Sequence, residues 1–349
     1  MKPSADEIQK FIKITEPEFE CSGKPIELSG GNLNYVWRIP GRPHNIIAKH
    51  APPFIASNPE EALNQDRLRF EADALRLFTE NGRLSFLSSK DISVPKFYGF
   101  DSKKNLLLME GIGSESTLFS EPMFRNYNDS MPAILGNFIA NLHRETAGDS
   151  FFKRSFQNLN IQKTRRQVQY KGAGQFLKNA GITPSSVAIN NAERLGEELL
   201  MPGKCLVMGD LWPSSILINE QKMRLIDWEF CHYGRPLQDV AHFIAHCRLH
   251  QEASDDLFRR EQLQKFCGHF LKSYRLSLGN DFSNLFDEKE SRELAIHYAM
   301  EILIRISGPF KHGYLFDSHS SDHSKIQKLA TEASELLKNP EDSEDYFWD

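Results

Sequence analysis

Residues 207–233 read VMGDLWPSSILINEQKMRLIDWEFCHY. Ile216-Leu217-Ile218 is a short apolar strand, Asn219 to Lys222 is polar enough to turn, and Met223 to Ile226 is the return strand. A hairpin brings the residue before its first strand beside the residue after its second. Ser215 and Asp227 therefore meet at one end of the ladder, with Asp210 on the leading loop. Oxygen ligands held at one point are what Mg2+ needs. A further carboxylate nearby can orient or deprotonate a hydroxyl. Two readings compete: an ordinary hairpin with acidic flanking loops, or a phosphoryl-transfer site with Asp210 as base and Ser215 and Asp227 on the metal. The second demands more parts upstream, in order: a glycine-rich loop between two strands, a strand lysine and a helix glutamate.

Those parts are present in that order. Pro25 to Leu28 and Tyr35 to Ile39 are strand-like, and between them lies SGGNLN, with Gly30, Gly31 and Asn32. Glycine adds no Cβ, so backbone N–H groups of such a loop can close over phosphates, although a plain Gly-Gly hairpin turn has the same look. The loop is not GxxxxGK[ST], which excludes a Walker-type loop. In Ile46 to His50, alternation puts Ile47 and Lys49 on one face, and a covered lysine needs a partner. Residues 66–79 carry helical periodicity through Leu68, Ala72 and Leu75, with Glu71 beside the stripe, where it can reach back to Lys49. Two more strands follow, Val94 to Phe100 and Asn105 to Met109. The connector EGIG at 110–113 marks the boundary between an N-terminal nucleotide-binding lobe, residues 1–112, and a helical C-terminal lobe, residues 113–349. The first clear helix beyond it is Pro132 to Arg144.

The whole chain sets limits. Its 349 residues can bury an ample core, and its net charge of −5 argues against a nucleic-acid partner. No apolar run reaches the length needed to span a bilayer, and the N-terminus carries no apolar signal core. The five scattered cysteines form no CxxC pair, so thiols in a reducing cytoplasm are expected. Oligomeric state is left open.

The series resembles the aminoglycoside phosphotransferase-like kinases, a small-molecule branch of the protein-kinase fold. GDLWPSSIL looks like that family's catalytic loop and LIDWEF like its metal-binding motif. GGNLNYVWRI and IIAKHAPPF look most like methylthioribose kinases and fungal hydroxytryptamine kinases. The resemblance implies an α+β, bilobal fold, with an antiparallel sheet and one helix in the N-lobe and a mostly helical C-lobe. It implies ATP and Mg2+ as cofactors and a small-molecule hydroxyl as acceptor: a methylthioribose-like sugar, an amino alcohol or a hydroxyindole. Asp210 would be the catalytic aspartate, and Asp227, Ser215 and Glu229 would hold Mg2+. Lys49, supported by Glu71, would hold the α- and β-phosphates, and Gly30, Gly31 and Asn32 would cover them. Backbone groups of Glu110 and Ile112 would hold the adenine, and Arg305 would reach the acceptor. Met208 stands where the family has histidine, and Ser215 where it has asparagine. These departures motivate an alternative, a pseudokinase that binds nucleotide or a partner without efficient transfer. Protein kinase activity is a weaker option, since HRD and DFG-APE segments are missing.

Other features have plainer readings. His242, His246 and His250 recur every four residues, either as a structural stripe or as part of a zinc site. Asp239 would steady the catalytic loop, as the family places an aspartate there. Lys163 to Arg166 reads as a solvated basic helix face. Residues 341–349 form an acidic, aromatic-ended tail, either loosely held or docked through its rings.

Overall fold

Alternating apolar residues build the sheet. The computed structural model describes residues 2–28, 33–113, 116–120, 130–343 and 347–348. Five strands run in the order Ile26–Glu27, Tyr35–Ile39, Ile46–His50, Leu106–Glu110, Phe97–Asp101, and every pair is antiparallel. Trp37, Ile39, Ile46, Ala48, Leu106 and Leu108 form one apolar cluster with Ile8 and Ile12. Those two isoleucines lie on helix Ala5–Thr15, which periodicity in the strands does not announce. Its start is a capping box: Ser4 accepts the Glu7 N–H, and the Glu7 carboxylate accepts the Ser4 N–H. Lys49 sits in register between Val36 and Leu107, and alternation turns it to the opposite side of the sheet from Ala48.

The chain divides into two units, residues 1–118 with 214–231, and residues 119–213 with 232–349. A single boundary after Ile112 therefore misses one feature. The hairpin of Ile216–Asn219 and Lys222–Leu225 belongs to the first unit, although it follows a long helical stretch in sequence. The reason is strand pairing. The return strand runs parallel to Ile92–Ser93, and Leu217 bridges Thr117. The turn is tight, with Glu220 and Gln221 both at positive φ, as a two-residue hairpin requires.

The second unit is mostly helical. Helices Leu237–Ala253 and Glu288–Ile306 are buried on nearly every side. Helix Met131–Thr146 packs on Leu257–Leu278, and Gly136 makes the close approach possible: a Cβ there would stand 2.6 Å from the Phe270 carbonyl oxygen. A short ladder, Cys205–Val207 with His232–Gly234, flanks residues 208–231 on either side. At the C-terminus, Phe347 packs on Tyr298, and Trp348 packs on Phe282 and Phe286, so the aromatic end is docked. Among the described residues no helix is long and apolar enough to cross a membrane.

The helix over the sheet face should matter energetically. Ile8 is fully buried, so Ile8→Ala should cost about 2–4 kcal/mol in urea unfolding. A loss below about 0.5 kcal/mol would mean that the helix adds little to the sheet.

Candidate active site

In the first unit the site is an ion cluster around one buried ammonium. Lys49 Nζ lies 2.8 Å from Glu71 Oε2, 2.9 Å from Asp227 Oδ1 and 3.3 Å from Glu229 Oε1. Helix Arg67–Leu77 supplies Glu71, with Arg67 one turn earlier on the same face. Arg67 is also buried. Its Nε meets Glu229 Oε2 at 3.2 Å and donates to Asn34 Oδ1, while its other nitrogens donate to the carbonyls of Leu33, Pro52 and Asn64. Asn34 Nδ2 in turn donates to both oxygens of Glu229, at 2.8 and 2.9 Å. Burial alone would lower the Lys49 pKa. The Asp227, Glu229 and Glu71 carboxylates outweigh it and hold the ammonium well above the ordinary lysine value. Burial pushes the Glu71 carboxyl up to about 7, against the pull of Lys49.

With Glu71 ionised, Glu71, Asp227 and Glu229 outnumber Lys49 and Arg67 by one charge; with Glu71 protonated the five groups balance. The donor set is all oxygen, which suits a hard divalent cation. Asp227 is the open position: its side chain is 44% exposed, and Lys49 meets it through Oδ1. Asp227 also sits at φ 64°, in the left-handed region that a short polar side chain tolerates. Buried Trp228 fixes this turn by donating to the Leu225 carbonyl and packing on Phe78. Glu229, by contrast, is fully engaged with Asn34, Lys49 and Arg67. Ser215 is buried, and its carbonyl accepts the Ile226 N–H at 2.9 Å, so the hairpin does bring it beside the segment that leads into Asp227.

In the second unit, Asp210 stands on a loop braced from behind. Asp239 is fully buried; its Oδ2 accepts the Met208 N–H at 2.8 Å and its Oδ1 the Gly209 N–H at 2.7 Å. Gly209 adopts φ 81°, which favours glycine. His143 Nε2 donates to Asp239 Oδ2 at 3.1 Å, and Nδ1 accepts the Tyr274 hydroxyl. The position occupied by Met208 thus serves the loop through its backbone. Asp210 Oδ1 lies 3.2 Å from Arg165 Nη2 and 3.5 Å from His242 Nε2.

Behind Asp210, His246 of the histidine stripe is hydrogen-bonded through both ring nitrogens. His246 Nε2 donates to Glu301 Oε1, and its Nδ1 accepts the Tyr314 hydroxyl. Burial pushes His246 down to about 4 and His242 well below its ordinary value, so both rings are neutral at pH 7. His242, His246 and Glu301 lie close enough together to ligate a metal ion. Arg305 already compensates Glu301, with Nε 2.8 Å from Oε1, and Gln169 donates to Oε2. A divalent ion there would have to displace a buried guanidinium. Arg305 itself is no surface residue: it lies over the rings of Trp212, Phe310 and Tyr314.

The remaining expectations fall out unevenly. Gly30, Gly31 and Asn32 lie outside the described residues. At the connector, the Glu110 N–H donates to the Lys96 carbonyl, and the Ile112 carbonyl accepts from Asn219. The basic cluster splits. Arg166 pairs with Glu197 near the surface, while Arg165 turns inward to Asp210, so the solvated-face reading fails for Arg165. A cavity of about 600 Å³ lined by Arg144, Lys153, Lys204 and Tyr233 contains none of the predicted site residues. Sequence reasoning missed Asn34, Arg67 and Arg165. Only Arg67 left a usable signal, its four-residue spacing from Glu71.

The profile of the Phosphotransferase enzyme family matches residues 26–275. The chain is 30% identical over 267 residues to a 4-hydroxytryptamine kinase of Psilocybe cyanescens, covering 71% of this chain and 72% of the relative. It is 23% identical over 286 residues to a methylthioribose kinase of Bacillus thuringiensis subsp. konkukian (strain 97-27), covering 76% and 71%. Two solved structures are similar in fold. One is the amicoumacin kinase hAmiN in complex with AMP-PNP, Ca2+ and Ami, with TM-score 0.52, 16% identity and coverage of 98% and 94%. The other is a putative aminoglycoside phosphotransferase from Ralstonia eutropha JMP134, with TM-score 0.52, 14% identity and coverage of 96% and 98%.

Two measurements probe these braces. Glu71 has its folded-state pKa raised from 4.5 to about 7, so its contribution is intact below pH 4.5 and is lost as pH rises to about 7. Between those limits the wild type should lose about 2–3 kcal/mol more unfolding free energy than Glu71→Gln. Parallel curves for the two proteins would contradict the burial of a titrating carboxyl. Asp239→Ala strands two buried N–H groups and His143, and should cost about 3 kcal/mol or more in the same assay.

Proposed function

The chain belongs to the phosphotransferase enzyme family, and from that premise we propose that it is an ATP-dependent kinase whose acceptor is a hydroxyl of a small molecule. The observation that carries the reading is the ion cluster: Lys49, Glu71 and Asp227 come from three distant stretches and meet within 3 Å contacts. A buried lysine bonded to two carboxylates is costly unless the arrangement serves a further charge.

In this reading the first unit supplies the nucleotide and metal ligands. Lys49 binds phosphate oxygens, and Glu71 keeps its ammonium oriented. Asp227 gives a carboxylate oxygen to Mg2+, and Ser215 a hydroxyl. Glu229 would be a further ligand to the ion. When bound, Mg2+ offsets charge that develops on the transferred phosphoryl group. Gly30, Gly31 and Asn32 cover the phosphates, and backbone groups of Glu110 and Ile112 hold the adenine. The second unit supplies Asp210, which orients the acceptor hydroxyl and takes its proton as the new O–P bond forms. Most of the rate gain comes from positioning and electrostatics. The similar 4-hydroxytryptamine and methylthioribose kinases support hydroxyindoles and methylthioribose-like sugars as the first acceptors to try, with amino alcohols next.

An ATP-consumption screen over methylthioribose, 4-hydroxytryptamine, choline-like alcohols and aminoglycosides tests this. At least one acceptor should be phosphorylated, and Asp210→Ala should lower kcat roughly a hundredfold or more. Normal turnover by folded Asp210→Ala would sink the base assignment. Nucleotide binding with no transfer to any acceptor would favour the pseudokinase alternative.

A further inference from the structure

We infer that Arg67 is a positioning residue for the site of the first unit: its buried guanidinium ties together the chain segments that supply the predicted nucleotide and metal ligands. The inference rests on the reading of that site as the nucleotide site.

The tied segments are far apart in sequence. Leu33 and Asn34 follow directly on the stretch with Gly30, Gly31 and Asn32. Pro52 comes shortly after Lys49, Leu63 and Asn64 lead into the helix that carries Glu71, and Glu229 comes shortly after Asp227. Arg67 bonds to all of them. Its Nη2 donates to the Leu33 carbonyl at 2.9 Å and the Pro52 carbonyl at 3.2 Å. Its Nη1 donates to the Asn64 carbonyl at 2.7 Å, with the Pro52 and Leu63 carbonyls at 3.2 and 3.4 Å. Its Nε lies 3.2 Å from both Asn34 Oδ1 and Glu229 Oε2. Asn34 closes the ring by donating from Nδ2 to both oxygens of Glu229.

A brace that served the fold alone would not need a charge. Arg67 is 1% exposed, and burying a cation is costly, whereas a well-packed apolar side chain in such a place is often neutral or stabilising. What arginine adds is geometry: five N–H donors in one rigid plane, aimed in several directions at once. Lysine carries the same charge on a single nitrogen at the end of a flexible stem. Arg67 also stands at the start of helix Arg67–Leu77, one turn before Glu71. Fixing it against Leu33, Pro52 and Glu229 therefore fixes where Glu71 meets Lys49. Without the fork, the strands and the helix keep their own bonds, but the spacing among Asn34, Lys49, Glu71 and Glu229 is no longer set. The loss then falls on the grip for ATP with Mg2+ and less on the fold.

The test is calorimetric binding of ATP with Mg2+ to the full chain, read beside melting curves without nucleotide. Arg67→Lys, which keeps the charge but not the fork, should weaken binding about tenfold or more, the scale for losing a partner that orients a metal ligand. Asn34→Ala should do the same from the other side of the network. Ile8→Ala loosens the same unit from the opposite face of the sheet and should bind like wild type. Wild-type binding by Arg67→Lys would overturn the inference, because charge alone would then suffice. An equal loss in Ile8→Ala would also overturn it, because any loosening would then do. Where Arg67→Lys does not fold, Asn34→Ala decides: a tenfold loss upholds the inference and normal binding overturns it. Loss of folding in both variants overturns it too, because the network would then be structural. The nucleotide reading fails separately: a wild type that binds no ATP with Mg2+ removes that reading and the inference with it.

Discussion

One buried ammonium constrains the first unit. Lys49 lies in the middle of the sheet with three carboxylates around it, and no arrangement of those carboxylates is tolerable without it. Its position follows from strand register between Val36 and Leu107. Its partners come from a helix and from the end of a hairpin far along the chain. That hairpin must therefore pair with the first unit, which it does through Ile92–Ser93 and Thr117. Arg67 and Asn34 complete the arrangement by saturating Glu229, so that Asp227 alone remains open. With Glu71 ionised, one negative charge is left over beside the exposed Asp227.

The second unit solves a different problem, that of holding a short loop still. Asp239 does it with two backbone hydrogen bonds, and His143 and Tyr274 orient Asp239 in turn. This explains why methionine can occupy position 208: the loop is held by the amide there and not by the side chain. The histidines around Glu301 extend the same economy. They are neutral and buried, His246 is bonded to Glu301 and Tyr314, and the rings fill space beside Asp210 without adding charge to it.

Much of this was legible in the sequence, for reasons that differ by residue. The strands around Lys49 and the hairpin before Asp227 announce themselves because alternation and turn composition are local signals. Glu71 was legible because helix periodicity fixes its face. Asp239 came from family resemblance, and the structure gives it the expected partners. Arg67 left only its four-residue spacing from Glu71, and Arg165 was not legible, because a buried arginine satisfied by polar partners has the same local sequence as an exposed one. Only the tertiary contacts distinguish Arg165 from Arg166 next to it. The histidine stripe revealed a helix face but not its opposing charges, since Glu301 and Arg305 lie on another helix. Helix Ala5–Thr15 could have been found: Ser4 and Glu7 carry a capping box in plain view.

In the proposed function the carboxylates around Lys49 mark a metal-assisted nucleotide site. The most direct measurement is the shift in melting temperature caused by ATP, with and without Mg2+, in wild type and in Asp227→Asn. ATP should stabilise the wild type clearly only when Mg2+ is present, and the variant should lose this Mg2+-dependent gain. An equal shift without Mg2+, or one preserved in Asp227→Asn, would contradict it.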